Sequence, residues 1–187
     1  MKSGTVIILC ALILAACTGK NETASDSDPG APATASAAVA APASSANLTQ
    51  VKQVVERFGK RLRQVSTLAP PDDLRQTLRK NYGELVTDQL LQTWLADPHS
   101  APGRRVSSPW PQDIHIAQVR CGTASRCEVQ GEVRYVTSEE LAHGGVFATR
   151  SIRLALQKSA GRWLINRIRM GKLTPVQTPA PRSGASR

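Results

Sequence analysis

The chain has 187 residues and a formal net charge of +10 at pH 7, and only 4% of its residues are aromatic. Residues 1–16 contribute +1, residues 17–46 contribute −2 and residues 177–187 contribute +2, which leaves +9 on residues 47–176. This charge favours anionic partners such as phospholipid headgroups, lipopolysaccharide, cell-wall polymers or acidic proteins. There is no aromatic platform or nucleic-acid-binding motif, so we expect no nucleic-acid partner.

The first residues have the anatomy of a secretion signal. Lys2 precedes an apolar run over residues 6–14, and Ala15-Ala16-Cys17 follows. The apolar run is shorter than the roughly 20 residues that cross the hydrocarbon of a bilayer, which disfavours a membrane-spanning anchor. The segment resembles the bacterial lipoprotein signal, whose lipobox ends in cysteine. That resemblance implies removal of residues 1–16 and attachment of lipid, palmitate included, to Cys17.

The resemblance also implies a location. Thr18 stands where aspartate is associated with retention in the inner membrane of enteric bacteria, so we expect an outer-membrane lipoprotein that faces the periplasm. Residues 17–46 are mostly small or polar, which predicts a disordered tether with a span of about 30 Å. Residues 177–187 predict a disordered tail for the same reason. A single domain over residues 47–176 remains.

The first element of this domain is an amphipathic helix that begins after Asn47. Asn47 and Gln50 have the spacing of a capping box. The opposite face of the helix is basic, and it is either solvated or binds a membrane surface or an acidic partner. The apolar stripe consists of Leu48, Val51, Val54, Val55, Phe58, Leu62 and Val65.

Two shorter helices and a loop come next. The pattern predicts a helix from Pro71 that ends at Gly83, and another that begins at the N-cap Thr87 and ends before Pro98. Residues 99–111 are rich in proline and predict an irregular loop.

From Asp113 the apolar period changes to two, which predicts four strands. The last of them changes phase between Ile165 and Ile168, so we expect a bulge near Asn166-Arg167. Helices followed by strands predict an α+β domain in which N-terminal helices pack on a four-stranded antiparallel meander.

Two cysteines remain once Cys10 is assigned to the removed signal and Cys17 to the lipid. In an oxidising compartment Cys121 and Cys127 are expected to form a disulfide at the mouth of a hairpin. The pair alone makes half a metal site, and redox catalysis usually uses a closer pair at a helix start. Both of these readings are weaker than the structural disulfide.

The closing strand includes Gly161-Arg162-Trp163-Leu164-Ile165-Asn166. With the order of elements, this strand resembles the nuclear transport factor 2-like (cystatin-like) superfamily. The resemblance implies a cone-shaped sheet that wraps the first helix. Its members include isomerases and dehydratases, and also non-enzymatic modules such as periplasmic domains of type IV secretion proteins. The fold alone therefore does not select a function.

The candidates for catalysis are few. Asp113 and His115 are out of phase with the neighbouring apolar residues, and His143 lies in a connector between glycines. Tyr135 is the one polar side chain of inward phase on the second strand. No catalytic triad, metal-ligand spacing or phosphate-binding loop is present, so we predict no catalytic residue, metal or cofactor, and no enzyme.

We therefore expect a non-catalytic binding or assembly module for an envelope protein. The proposed partner face consists of Arg120, Arg134, Arg153 and Arg167. Glu128 and Glu132 offer an alternative in which cross-strand pairs neutralise this face. A second hypothesis is a carrier or sensor of a small hydrophobic ligand, in a pocket lined by Trp94, Trp110, Tyr135 and Trp163. An isomerase-like or dehydratase-like enzyme is the least favoured reading, and the oligomeric state is left open.

Overall fold

The computed structural model describes residues 44–176. The predicted signal, the lipid-bearing Cys17, most of the predicted tether and the predicted tail lie outside the described residues. No helix in the described range is long and apolar enough to cross a membrane. The elements are α1 (Ser45–Leu62), α2 (Pro71–Tyr82), α3 (Asp88–Ala96), a 3₁₀ turn (Pro98–Ser100), β1 (Trp110–Thr123), β2 (Arg126–Val136), α4 (Ser138–His143), β3 (Ala148–Ser159) and β4 (Arg162–Pro175).

The four strands form one antiparallel sheet in the order β1-β2-β3-β4. The helices cover one face of this sheet, and the apolar side chains of both layers form one core. This arrangement confirms the predicted α+β meander. The predicted loop is shorter than expected, because the 3₁₀ turn occupies its beginning and β1 already starts at Trp110.

Helix α1 begins earlier than the sequence pattern indicates. The Ser44 hydroxyl accepts a hydrogen bond from the Asn47 backbone nitrogen at 3.4 Å, so Ser44 is the N-cap. The prediction that Asn47 caps the helix is wrong, because Asn47 supplies one of the first-turn donors instead. The last residues assigned to the tether are therefore part of the domain.

Helix α1 lies close to the sheet at Gly59. A Cβ atom at this position would lie 2.8 Å from the backbone nitrogen of Ile114 on β1, which is closer than real Cβ contacts. Glycine therefore permits the approach of helix and strand. The buried stripe of α1 consists of Val51, Val54, Val55, Phe58 and Leu62.

The two short helices have the predicted ends. Pro71 opens α2, and the Thr87 hydroxyl accepts from the Leu90 backbone nitrogen at 3.4 Å at the start of α3. The segment between them is fixed to β4, since Ile165 donates to the Leu85 carbonyl and accepts from the Thr87 nitrogen, both at 2.9 Å.

Helix α4 was not predicted, and the assignment of His143 to a connector is wrong because His143 ends this helix. Thr137 and Glu140 form a capping box, and their hydrogen bond lowers the pKa of the Glu140 carboxyl. Gly144 has φ 72° and ends the helix in the left-handed region.

The predicted bulge in β4 is confirmed. Ile165 pairs with Leu156, whereas Arg167 pairs with Ala155, so Asn166 is the additional residue. Because of the bulge, the apolar side chains of β4 face the helices both before and after Asn166. This phase also directs Arg167 to the opposite face of the sheet.

Candidate functional site

The face of the sheet that the helices leave uncovered carries a group of exposed arginines. Arg153 on β3 is the direct cross-strand partner of Arg169 on β4, and Arg167 lies two residues before Arg169 on the same strand. On the same face, at the other edge of the sheet, Arg120 on β1 lies opposite Glu128 on β2 in the strand register. We call Arg120, Arg153, Arg167 and Arg169 the basic face.

Three of these arginines surround one shallow recess of about 150 Å³. Arg153, Arg167 and Arg169 line it together with Glu128 and Gln130 of β2. Guanidinium groups present planar arrays of donors that match carboxylate oxygens, so this arrangement suits an anionic ligand. Arg120 lies outside this recess and lines a neighbouring depression near the tip of the β1–β2 hairpin.

Arg134 shares this side of the sheet, but its charge is already paired. Its Nε donates to Asp113 Oδ1 at 2.7 Å and its Nη2 to Asp113 Oδ2 at 2.5 Å. The hydrogen bond to Asp113 raises the pKa of Arg134. The two-point contact holds the guanidinium against β1, so Arg134 offers less to a partner than Arg153 does.

The glutamates of β2 do not form such pairs. Among residues 44–176, the only ion pairs within 4.0 Å are Arg134 with Asp113 and Arg75 with Asp72. Glu128 and Glu132 therefore leave the basic face without a carboxylate at ion-pair distance.

Sequence reasoning missed Arg169. The phase change that predicted the bulge could have identified it. Ile168 and Met170 face inward, and side chains alternate along a strand, so the side chain between them faces outward. The sequence alone did not show that Arg169 would lie directly opposite Arg153, since that depends on the register between β3 and β4.

The predicted disulfide is confirmed. Cys121 and Cys127 are direct cross-strand partners and are bonded, with their Cα atoms 3.9 Å apart. The bond closes the tip of the β1–β2 hairpin beside Arg120 and Arg126, and it therefore limits the movement of this end of the sheet.

The four aromatic residues proposed to line a pocket do not share one cavity. Trp94 and Trp163 are buried in the core, and Tyr135 packs against it. Trp110 is half-buried at the start of β1. Trp163 also borders a depression beside α1, whereas Trp94 lines a separate groove.

This separate groove lies between α3, residues 100–103 and the strands β3 and β4, and its volume is about 190 Å³. Apolar side chains of α3 and β4 line it, and two arginines add positive charge. We call it the inner groove and define it by Leu90, Trp94, Ile168, Met170, Arg105 and Arg150.

The residues considered for catalysis are dispersed. Asp113 binds Arg134, His115 is exposed on the same side of the sheet, and the exposed His143 ring contacts the Glu139 carbonyl at 2.8 Å. In the part of the chain that the structure describes, no three His, Cys, Asp or Glu side chains are grouped so that they could hold a metal ion.

No protein-family model matches the chain, and no curated protein matches it. A solved structure whose name begins Rd1NTF2_05 is similar to this chain with 18% identity and a TM-score of 0.35, and the match covers 65% of this chain and 96% of that one. A likeness at this level carries no argument about function.

Proposed function

We propose that the protein is a lipid-anchored, non-catalytic binding module of the bacterial cell envelope, and that its basic face captures an acidic protein. The observation that carries this proposal is the group formed by Arg153, Arg167 and Arg169. All three side chains are exposed, and none has a carboxylate within 4.0 Å among the described residues.

The electrostatics of this group favour an external counter-charge. Like charges on neighbouring strands repel one another, and a partner carboxylate relieves that repulsion while forming charge-assisted hydrogen bonds. The face lies on strands that are paired within the sheet, so the arginines start from fixed backbone positions. Binding therefore requires ordering of side chains but not of a loop.

The lipid anchor and the finer fold belong to the same proposal. The lipobox-like sequence before Cys17 supports attachment of lipid, and Thr18 in place of aspartate supports an outer-membrane location facing the periplasm. The order of the elements, together with the packing of α1 against β1 and β4, supports a nuclear transport factor 2-like cone. Neither assignment is needed for the basic face to bind an acidic surface.

A small-molecule carrier is supported less well. The inner groove holds about 190 Å³, whereas ligand pockets usually hold about 300 Å³ or more. Its size suits one or two side chains of a partner better than a whole ligand.

The test is a mild crosslink of the full-length protein in its native envelope, followed by mass spectrometry of the attached molecules. We expect the double variant Arg153→Glu with Arg169→Glu to capture at least tenfold less partner than the unaltered chain. The matched control is Arg57→Glu with Arg79→Glu, which changes the net charge equally at exposed helix positions.

Equal capture by both double variants would contradict the proposal. So would crosslinking to anionic lipid alone, since that result would assign the basic face to a membrane surface.

A further inference from the structure

Strand β4 is one edge of the sheet, and most of its outer side is uncovered. In the described range the only pairing on that side is the bridge between Val86 and Ile165. Beyond this bridge, residues 166–175 pair with β3 only. An uncovered edge of this length is a template for an additional strand.

The register identifies the backbone groups that point outward. The Ile165 nitrogen and carbonyl bond residues on the outer side of β4, so Ile165 faces away from β3. Ile165 is opposite Leu156 on β3. Ile168 and Met170 are opposite Leu154 and Ile152, which lie two and four residues before Leu156 on the same strand. In an antiparallel pair the orientation alternates, so the N–H and C=O groups of Ile168 and Met170 also point away from the sheet.

A different recess lies on each side of this edge. Arg167 and Arg169 border the recess of the basic face, and Ile168 and Met170 line the inner groove. A strand added beside β4 would lie about 4.8 Å away and direct its side chains alternately to the two sides. One set would meet the guanidinium groups of Arg167 and Arg169, and the other would meet the apolar side chains of Ile168 and Met170 in the inner groove.

We propose that β4 accepts an added strand from an acidic envelope protein, in an extended segment where acidic residues alternate with apolar ones. This inference rests on the proposed function and specifies how the partner binds. Backbone hydrogen bonds to Ile168 and Met170 supply affinity, and the two recesses select the alternating side chains.

Charge argues against a second copy of this chain as the occupant. Two β4 strands side by side would bring Arg167, Arg169 and Lys172 of both copies together, and like charges across neighbouring strands are destabilising. Positive side chains on an edge strand repel basic segments in the same way. An acidic segment converts this repulsion into attraction.

The test uses the full-length chain in detergent and a labelled ten-residue peptide that alternates glutamate with valine, with binding followed by fluorescence anisotropy. One comparator has the same composition in two blocks, five glutamates and then five valines. The other has methyl groups on all backbone nitrogens and cannot donate to the edge. We expect both comparators to bind at least tenfold more weakly.

A variant of the protein tests the same backbone hydrogen bonds by changing β4 instead of the peptide. Met170→Pro removes an outward N–H from an edge strand, and Met170→Ala removes the side chain but keeps that donor. We expect the proline variant to bind the alternating peptide at least tenfold more weakly than the alanine variant. The methylated peptide provides the same comparison if the proline variant does not fold.

Comparator peptides that bind as tightly as the alternating one would overturn the strand addition and leave the acidic-partner proposal in place. Absence of binding by every peptide would also overturn it, while the crosslink test with Arg153→Glu and Arg169→Glu would still decide the proposed function. Failure of both tests would overturn both.

Discussion

Tyr82 joins several parts of the core through one side chain. Its ring lies 4.9 Å from the Phe58 centroid and 5.5 Å from the Trp94 centroid, and it is fully buried. The hydroxyl donates to the Pro102 carbonyl at 2.7 Å. This bond connects the end of α2 to the loop beside the inner groove, so the position of that loop depends on the hydroxyl.

We predict that Tyr82→Phe lowers the free energy of unfolding by about 1–3 kcal/mol, because a buried carbonyl loses its donor while the packing is retained. Urea denaturation at pH 7 measures the change in the free energy of unfolding. Tyr135→Phe is the control, since Tyr135 is only half-buried. A loss as large for Tyr135→Phe would show that the Pro102 bond is not the cause.

The effect of Tyr82→Phe on the free energy of unfolding depends on pH. Burial raises the pKa of Tyr82 far above the ordinary tyrosine value of about 10. The folded chain therefore keeps a proton that the unfolded chain releases, so this stability is present below pH 10 and is lost as the pH rises further. The free energy of unfolding should fall less steeply above pH 10 in Tyr82→Phe than in the unaltered chain.

At the scale of elements, the contact of α1 with β1 gives the next prediction. Alanine favours a helix over glycine by about 1 kcal/mol, but a Cβ at position 59 would lie 2.8 Å from the Ile114 nitrogen and 3.1 Å from its Cγ1. We expect Gly59→Ala to destabilise the domain by about 1–3 kcal/mol through overpacking.

Thermal denaturation tests this prediction against Gly122→Ala, because a Cβ at position 122 would meet nothing within 4 Å. A more stable Gly59→Ala protein would mean that α1 can move away from the sheet without loss.

The disulfide is a property of the β1–β2 hairpin. The chain-entropy argument for so short a loop gives about 2 kcal/mol. We expect Cys121→Ala with Cys127→Ala to lose about this much stability in denaturant while partner capture is retained, because Arg153, Arg167 and Arg169 lie on β3 and β4, whereas the disulfide joins β1 and β2. Loss of capture by a folded double variant would place the hairpin tip in the binding surface.

Local signals in the sequence predicted most elements. Thr87 and Pro71 begin their helices, and the phase change near Asn166 predicted the bulge, because each depends on neighbours along the chain. Helix α4 was missed, since it buries no side chain and so has no apolar period, although Thr137 and Glu140 carried a capping signal.

Only part of the basic face could be predicted from the sequence, because strand phase is local whereas strand register is not. Strand phase placed Arg153 and Arg167 outside, but the pairing of Arg134 with Asp113 depends on the register between two strands. A register shift lies between Pro111 and Asp113, and the apolar alternation of β1 begins only after it, so the sequence does not report this shift.

For the whole molecule, the excess of positive charge predicts a response to salt. Exposed charges are screened over about 10 Å at 0.1 M salt and about 3 Å at 1 M. We expect capture of the partner by the unaltered chain to fall steeply as salt rises. The Arg153→Glu with Arg169→Glu variant should show a flatter dependence. Crosslinking across a salt series measures both, and capture that does not respond to salt would point to apolar contact as the main attraction.

The β1–β2 turn and the β3–β4 turn lie at the end of the sheet where α1 begins. Lys158 Nζ donates to Asn47 Oδ1 at 3.2 Å, and the Lys158 backbone nitrogen donates to the Ser125 carbonyl at 2.9 Å. The start of α1 therefore lies beside both turns, and at about 3.3 Å per residue Met170 is about 25 Å further along β4 from Arg162. The chain enters the domain at this end of the sheet, so the open edge at Ile168 and Met170 lies well along β4 from the entry point, where an added strand would not meet the start of α1.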